Sequence, residues 1–440
     1  MQQIISGLRK SASLKAATIG FLTLILLIPV AMIDGLVEDR SAVLYEARAD
    51  IMRSWGGEQT LAGPVLVVPY TTSYTNRKGE LIVEEAEAYV LPSRLNIEGE
   101  LDSEIRARGI HEVPVYHATL QVSGTFDRPD IASVAPRVDT VHWERAQVAL
   151  SVSEARGITE TPQITINGAS TPFRPGGAIV FGDMPPPVTA TAGNPFAAGA
   201  DTTAFELTLR LNGTDTLRIM PLGDTTDVRM SSPWPSPSFT GGYLPRNHDV
   251  SDDGFTAVWQ VASLGRAIPS VWTSGRDVVA DSWTSSLGVT LYMPVSIYQL
   301  MFRAVRYAVL FIALTFVAYF LFEIMAKLRL HPLQYLLVGF ANAMFFLLLL
   351  SLAEHIGFGA AYLLSAFASI ALVTGYSTSI LGTLGRGATM AGALAVLYLF
   401  LYMTLKAETY ALLAGAIGLW ITLATIMTVT RRIDWYGDDN

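Results

Sequence analysis

The sequence predicts an α+β membrane protein in which six transmembrane helices, one N-terminal and five C-terminal, flank a large, mostly antiparallel β domain. One long apolar run lies near the N-terminus and five more lie after Arg306, whereas residues 40 to 300 contain no comparable run. The mean hydropathy of the 440 residues is +0.38, and only 15% of them are charged. Soluble proteins contain roughly 25% charged residues, so we expect lipid to be the solvent for part of the chain.

The first span is predicted from Ala16 to Ile33, after the basic residues Arg9, Lys10 and Lys15. This run is longer than a typical signal-peptide core, and no small-x-small cleavage site follows it, which favours a retained helix over a signal peptide. The other predicted spans are Tyr307–Met325, Leu333–Leu352, Gly357–Tyr376, Ala388–Leu405 and Tyr410–Val429.

Basic residues decide the predicted orientation, because Lys and Arg near helix ends are retained in the cytoplasm. Arg303 and Arg306 oppose the bias, but they close a large translocated domain, where the rule loses force. With the N-terminus inside, the cytoplasmic set is Arg9, Lys10, Lys15, Lys327, Arg329, Arg386, Arg431 and Arg432. The sequence therefore predicts that both termini are cytoplasmic and that the large domain lies on the outer side of the membrane, which in a bacterium is the periplasm.

The predicted divisions are residues 1–36 for the N-terminus and first span, 37–302 for the periplasmic domain, 303–430 for the bundle and 431–440 for a cytoplasmic tail. The domain is expected to begin with a helical stalk, because apolar residues recur at helical spacing from Leu36 to Ile51. The pair Gly56-Gly57 would end that stalk.

Short alternating segments then predict a sandwich-like or two-sheet β domain. A strand over Phe205–Leu211 is followed by the turn-forming pair Asn212-Gly213. The segment from Pro185 to Asp201 has the composition of a linker or long surface loop, which leaves one domain or two open. Other strand candidates are Val65–Val68, Leu120–Val122, Val148–Val152 and Ile164–Ile166.

Composition and motifs argue against several functions. The net charge of -8, without a basic stripe, argues against a nucleic-acid partner. The chain has no cysteine, and His111, His117 and His142 lack the spacing of a zinc site. Motifs of serine hydrolases, phosphate loops and zinc proteases are missing too. We therefore expect no catalytic residue, cofactor or metal, although a glycan- or lipid-acting enzyme with two carboxylates brought together in space stays a third alternative.

A Pro-aromatic segment is the first candidate binding site. Its prolines fix an extended backbone and its rings offer apolar faces, which suits the docking of a partner. The alternative is that the rings pack into the core of their own domain, and this alternative is favoured because buried aromatic residues are common. The candidate docking residues are Trp234, Pro235, Pro237, Phe239 and Tyr243.

Glu323 and Asn342 are the second candidate, as strongly polar residues within predicted spans. Lys327 stands four residues after Glu323, a spacing that allows an ion pair on one helix face. A coupled transporter usually has more intramembrane polar groups. Glycines such as Gly392, Gly415 and Gly418 are typical of closely packed spans, through which the chain could also self-associate.

Several specific segments are spread over nearly the whole chain, most densely from Trp234 onward. They are Gly63–Pro69, Ser151–Ile158, Trp234–Phe239, Gly254–Trp259, Leu330–Gly339, Leu347–His355 and Ile433–Tyr436. Together they resemble the CreD family of bacterial inner-membrane proteins, called cell envelope integrity proteins. The resemblance implies a Gram-negative inner-membrane protein tied to envelope homeostasis and to a two-component regulon, and it implies no reaction, ligand or catalytic residue.

The leading hypothesis is a non-enzymatic envelope-integrity protein, anchored in the lipid bilayer, whose β domain binds a periplasmic protein, a lipid or a cell-wall component. It follows from a large ordered domain without a catalytic motif. The alternative is a carrier or channel that passes a small or lipidic molecule through the helical bundle.

Overall fold

The computed structural model describes residues 12–135, 137–179, 181, 182, 184–265, 268–274, 285–293, 297–325, 330–407 and 410–431. Several residues used in the sequence predictions lie outside these ranges: Arg9, Lys10, Lys327, Arg329, Arg432 and the segment 433–436. The chain divides into two compact units, residues 1–45 with 295–440 and residues 46–294. The sequence had placed these boundaries at residues 36/37 and 302/303.

The first helix, α1, runs without interruption over Ala12–Trp55 and therefore includes both the predicted span and the predicted stalk. It stops where Gly56 adopts a φ of +111°. A side chain there would place its Cβ 2.8 Å from the carbonyl oxygen of Asn212, so only glycine fits this close approach. Before this turn, Ile51 of α1 packs with Val113 and Val115.

The strands of the β unit follow α1 without another long helix among the described residues. They are β1 (Gln59–Thr75), β2 (Leu81–Val90), β3 (Arg94–Arg108), β4 (His111–Asp127), β5 (Thr140–Val141), β6 (Gln147–Val152), β7 (Gln163–Ile166), β8 (Ala169–Pro172), β9 (Arg174–Pro175), β10 (Val188–Thr191), β11 (Thr202–Thr214), β12 (Thr216–Ile219), β13 (Thr225–Ser232), β14 (Pro237–Gly241), β15 (Asn247–Ser251), β16 (Gly254–Ala262), β17 (Val271–Thr273) and β18 (Leu287–Leu291).

These strands form two sheets, as the alternating segments predict. The first sheet has the order β14-β18-β12-β1-β6-β10-β9, with β2, β5 and β17 added at β1 and β2. The second has the order β15-β16-β13-β3-β4-β11-β7-β8. Pairing is antiparallel except between β1 and β12 and between β13 and β3. Apolar side chains from both sheets form one core, so each sheet has an inner face covered by the other.

Two local predictions were wrong. The segment 185–201, predicted as a linker or long loop, contains β10, which pairs with β6 and β9, and its Phe196 is buried against Trp143. Asn212 and Gly213, predicted as a turn, lie inside β11 and pair with β4. In both cases a neighbouring strand supplies backbone partners that override the local preference of these residues.

The helical unit contains α2 (Ile297–Met325), α3 (Pro332–Ile356), α4 (Phe358–Leu381), α5 (Leu384–Lys406) and α6 (Ala411–Thr430). With α1, these make six described helices that are long and apolar enough to cross a membrane, one N-terminal and five C-terminal. The predicted fold class is therefore confirmed. A second apolar core, separate from that of the β unit, packs α1 to α5 together.

Candidate functional site

The outward face of the second sheet is polar because side chains alternate across its strands. On β3, Leu95 and Ile97 are buried in the core, whereas Asn96 and Glu98 are exposed. β11 and β13 follow the same alternation. A strand with one buried face must place every second residue in water, so the core itself decides which side chains reach this surface.

Strand register aligns the outward residues into two rows across β16, β13, β3, β4, β11 and β7. The first row is Gln260, Asp227, Asn96, Ser123, Glu206 and Thr165. The second row is Val258, Arg229, Glu98, Gln121, Thr208 and Gln163. Six strands span about 24 Å at a spacing of about 4.8 Å. We call these twelve residues the polar face.

The polar face lines an open groove of about 960 Å³. Glu160 and Arg210 also line it, and their side chains form an ion pair of 3.0 Å. Because eleven of the twelve residues of the face have hydrogen-bonding side chains, the groove is unlike the mostly apolar pockets that take small molecules. The groove therefore presents hydrogen-bonding groups along the six strands.

Six side chains of the polar face have no hydrogen bond or ion pair to any other described residue: Asn96, Glu98, Gln121, Glu206, Asp227 and Arg229. Carboxylates accept hydrogen bonds, amides both donate and accept, and a guanidinium donates several in one plane. A ligand rich in hydroxyl groups offers both donors and acceptors, and could therefore replace the water on all six groups.

Two carboxylates of the face are near neighbours. Asp227 stands opposite Asn96, so it lies diagonally from Glu98, at about 8 Å between Cα atoms by strand spacing and rise. In glycoside hydrolases the two carboxyl groups themselves, rather than their Cα atoms, lie about 5 to 9.5 Å apart. Glu98 is exposed and stands opposite Arg229.

The aromatic rings of the predicted Pro-aromatic docking segment pack against other residues of the β unit. Trp234 is 8% exposed, and its indole Nε1 donates to the carbonyl oxygen of Tyr292 at 3.1 Å. The ring of Phe239 meets that of Trp259 edge to face at 5.7 Å, and the Tyr243 hydroxyl donates to the carbonyl of Gly265. Pro237 begins the edge strand β14, and Pro235 is exposed. The three rings therefore contribute to intramolecular packing.

Glu323, the first intramembrane candidate, is 3% exposed and has three partners in its own unit. Its carboxylate accepts from the ammonium of Lys15, from the backbone N–H of Leu330 at 3.0 Å and from the hydroxyl of Tyr335 at 2.8 Å. The predicted partner Lys327 lies outside the described residues. Sequence spacing could not reveal Lys15, which is 308 positions away. These hydrogen bonds connect the carboxylate on α2 to α1 and α3, which gives it a structural role between helices.

Asn342, the second intramembrane candidate, is fully buried on α3. Neither Oδ1 nor Nδ2 of its amide has a hydrogen-bond partner among the described residues. The same holds for the hydroxyl of Ser365, which is fully buried on α4. An unpaired buried amide costs roughly 1 to 3 kcal/mol, so these positions in the bundle are energetically unfavourable unless water or a ligand reaches them.

Two further carboxylates were missed by sequence reasoning. Asp215, in the left-handed region with a φ of +58°, is 3% exposed and accepts from Nε of Arg48 at 3.0 Å. Burial raises the pKa of Asp215, and the Arg48 guanidinium opposes that rise. In the helical unit, Glu354 lies 3.9 Å from Arg40 and accepts from the hydroxyl of Tyr298 at 3.0 Å. Only spacing in three dimensions brings these pairs together.

Two of the histidines considered for a metal site have different hydrogen-bond partners. His117 shares a hydrogen bond of 2.7 Å with the side chain of Asn212, and His142 shares one of 2.8 Å with that of Thr71. Within the described part of the chain, no three His, Cys, Asp or Glu side chains are grouped as metal ligands would be.

Two sequence comparisons with known proteins give the same family over nearly the whole chain. The sequence model of the family described as "Inner membrane protein CreD" matches residues 11–436. The inner membrane protein CreD of Escherichia coli (strain K12) is 33% identical over 425 residues, which cover 94% of this chain and 91% of that protein. Two solved structures of an M1 zinc metallopeptidase mutant from Deinococcus radiodurans align at 11% identity. They cover 46% and 78% of this chain, and 42% and 93% of theirs, with TM-scores of 0.20 and 0.21, which carry no argument about fold or function.

Proposed function

This chain belongs to the CreD family of inner membrane proteins, and from that premise we propose that it supports the integrity of the cell envelope without catalysing a reaction. In this proposal the β domain binds a hydroxyl-rich polymer of the cell wall, a glycan strand, at the polar face. The bundle anchors this domain in the lipid bilayer. The observation that carries the proposal is the set of six unpartnered planar side chains along a groove of about 960 Å³.

The chemistry of the face favours a glycan over the other partners that the sequence left open. A protein partner would be expected to cover aromatic or apolar groups at the centre of its interface, and Val258 is the one apolar residue of the polar face. A lipid tail would need an apolar lining. A sugar polymer matches the length of about 24 Å over six strands and the mixture of donors and acceptors.

The proposal places both termini in the cytoplasm and the β domain in the periplasm. Lys15, Arg386 and Arg431 lie at helix ends that would then be cytoplasmic, as the positive-inside rule expects. The wall polymer lies on the opposite side of the inner membrane, where the polar face would meet it. Fusing a reporter that is active in only one compartment after Gly79, in the exposed β1–β2 turn, tests this arrangement.

Sedimentation with isolated peptidoglycan sacculi tests the binding role. The full-length protein in a neutral detergent is expected to pellet with the sacculi, and the double variant Asn96→Ala, Gln121→Ala is expected to bind about tenfold more weakly, since each hydrogen bond is worth about 0.5 to 1.5 kcal/mol. The matched control is Gln147→Ala, an exposed glutamine on β6 of the other sheet. Equal binding by all three proteins would refute a glycan site on the polar face.

The same sample tests the non-enzymatic role. After long incubation, the soluble fraction is examined for released sugar fragments, and none are expected. Fragments that disappear in a Glu98→Gln or Asp227→Asn variant would overturn this part of the proposal. Because these side chains are outside the core, we expect the variants to keep their stability within about 0.5 kcal/mol.

A carrier or channel is the second candidate, favoured by the unpartnered amide of Asn342 in the bundle. The test of this function measures how well Asn342→Leu and wild type each protect cells under envelope stress. Loss of protection, with sacculus binding and membrane insertion unchanged, would favour a carrier. Unchanged protection would exclude a role for this amide in transport.

A further inference from the structure

An apolar cavity of about 260 Å³ lies among α2, α5 and α6 of the helical unit. Phe311 of α2, Leu401 of α5 and Ala416 of α6 line it. Thr404 also lines it, but its hydroxyl donates to the carbonyl of Phe400 at 2.9 Å and so is already satisfied. An apolar cavity of about 150 Å³ in a soluble protein stays dry and binds benzene, so this larger one can hold a hydrocarbon segment.

The glycines of α6 shape this cavity. Gly418 packs so closely against Phe400 that an added Cβ would lie 2.1 Å from the ring, which brings α5 and α6 together there. Less than one turn earlier, Gly415 has no atom within 4 Å of the corresponding position. None of the hydrophobic window of α6 is buried, so the space beside Gly415 is open to the surrounding lipid.

A guanidinium stands at one end of the cavity. Arg303 lies one turn before the lining residue Tyr307 on α2, and its Nη2 donates to the carbonyls of Thr404 at 3.1 Å and Ala407 at 3.3 Å. These carbonyls belong to the last turn of α5 and to the residue that caps it. Lys406, in the same turn, instead places its ammonium 5.5 Å from the ring of Tyr402, which does not line the cavity.

We propose that this cavity is a binding site for an anionic phospholipid, with an acyl chain between α2, α5 and α6 and the phosphate beside Arg303. An acyl chain inside the cavity makes apolar contacts with the lining residues that water cannot make. A guanidinium can donate to a carbonyl and to phosphate oxygens at once, because it presents five N–H groups in one plane. The site is independent of the polar face of the β unit.

Native mass spectrometry of the full-length protein tests the proposal. The protein is stripped of lipid in detergent and titrated with phosphatidylglycerol or phosphatidylcholine of the same chain length. Wild type is expected to retain phosphatidylglycerol about fivefold better, the effect of one basic residue near a membrane surface. Arg303→Gln is expected to lose this preference, Arg303→Lys to keep most of it, and Lys406→Gln to leave it unchanged.

A cavity-filling variant tests the place of the acyl chain. Gly415→Phe puts a ring into open space and is expected to lower retention of both lipids without a loss of thermal stability. Unchanged retention in this variant would overturn the acyl-chain site. Equal retention of the two lipids by wild type, or the same preference in Arg303→Gln, would overturn the role of Arg303. A dimer that forms in wild type and is lost in Gly415→Phe would assign the cavity to a second copy instead.

Discussion

The helical unit and the β unit hold their buried carboxylates in different ways, although the basic partner comes from α1 in each case. In the helical unit, Glu323 is surrounded by three donors: an ammonium, a hydroxyl and a backbone N–H. In the β unit, Asp215 depends on Arg48 alone among the side chains of the described residues. Glu323 on α2 receives donors from α1 and α3, whereas Asp215, between β11 and β12, receives one side-chain donor among the described residues. Loss of one donor should therefore cost more at Asp215 than at Glu323.

The largest effect is expected when the ion pair between Arg48 and Asp215 is broken. In Arg48→Leu a buried carboxylate has no cation, and we expect a loss of about 3 to 5 kcal/mol in the stability of the β unit. The midpoint of thermal unfolding, followed by tryptophan fluorescence of the purified protein, measures this. The matched control is Arg53→Leu, whose partner Asp50 is more exposed, with an expected loss below about 1 kcal/mol. Similar losses in both variants would contradict the contrast.

Acid should reduce the penalty of Arg48→Leu. Burial raises the pKa of Asp215, and removing the opposing guanidinium raises it further. The folded variant then keeps a proton that the unfolded chain releases above about pH 4. Its stability is therefore highest below that pH and falls as the pH rises through the folded-state pKa. We expect unfolding midpoints of wild type and variant to converge as the pH is lowered from 7 toward 4. A penalty that stays constant over this range would show that packing, not charge, sets the loss.

A smaller effect is expected at Glu323, because its other donors remain. Tyr335→Phe removes one hydrogen bond to the carboxylate and should cost about 1.5 kcal/mol. Tyr298→Phe removes the corresponding bond to Glu354 and serves as the matched variant at a less buried pair. Unfolding in the same detergent compares the two. A loss at Tyr335 as large as that in Arg48→Leu would remove the difference between the two units.

The smallest effect has the opposite sign. Asn342→Leu replaces an unpaired buried amide by an apolar group of similar size, and we expect the bundle to gain about 1 kcal/mol. Ser365→Ala, at another fully buried unpartnered position of the bundle, should change stability less because the hydroxyl is smaller. A marked loss in Asn342→Leu would show that the amide is hydrogen-bonded in the membrane, through water or a ligand.

Much of the architecture could be predicted from the sequence, because long apolar runs and two-residue alternation are local signals of lipid and of a half-buried sheet. All five C-terminal helices overlap the predicted spans, and α1 contains the first span. β11 contains the predicted strand Phe205–Leu211. The family also followed from local segments. Predictions made from local turn and loop preferences were wrong where a neighbouring strand offers backbone partners, as at Asn212 in β11 and in the segment that contains β10.

The candidate sites were decided by the tertiary structure. That Gln121 of β4 and Asp227 of β13 share one groove follows from the order and register of strands that are distant in the chain. Burial of Trp234 and the pairing of Glu323 with Lys15 depend on contacts that no spacing rule contains. The sequence by itself determines which residues prefer lipid, core or water, since transfer free energy is a property of each side chain. Which polar groups then meet is determined by packing, since only the fold sets distances between residues far apart in the chain.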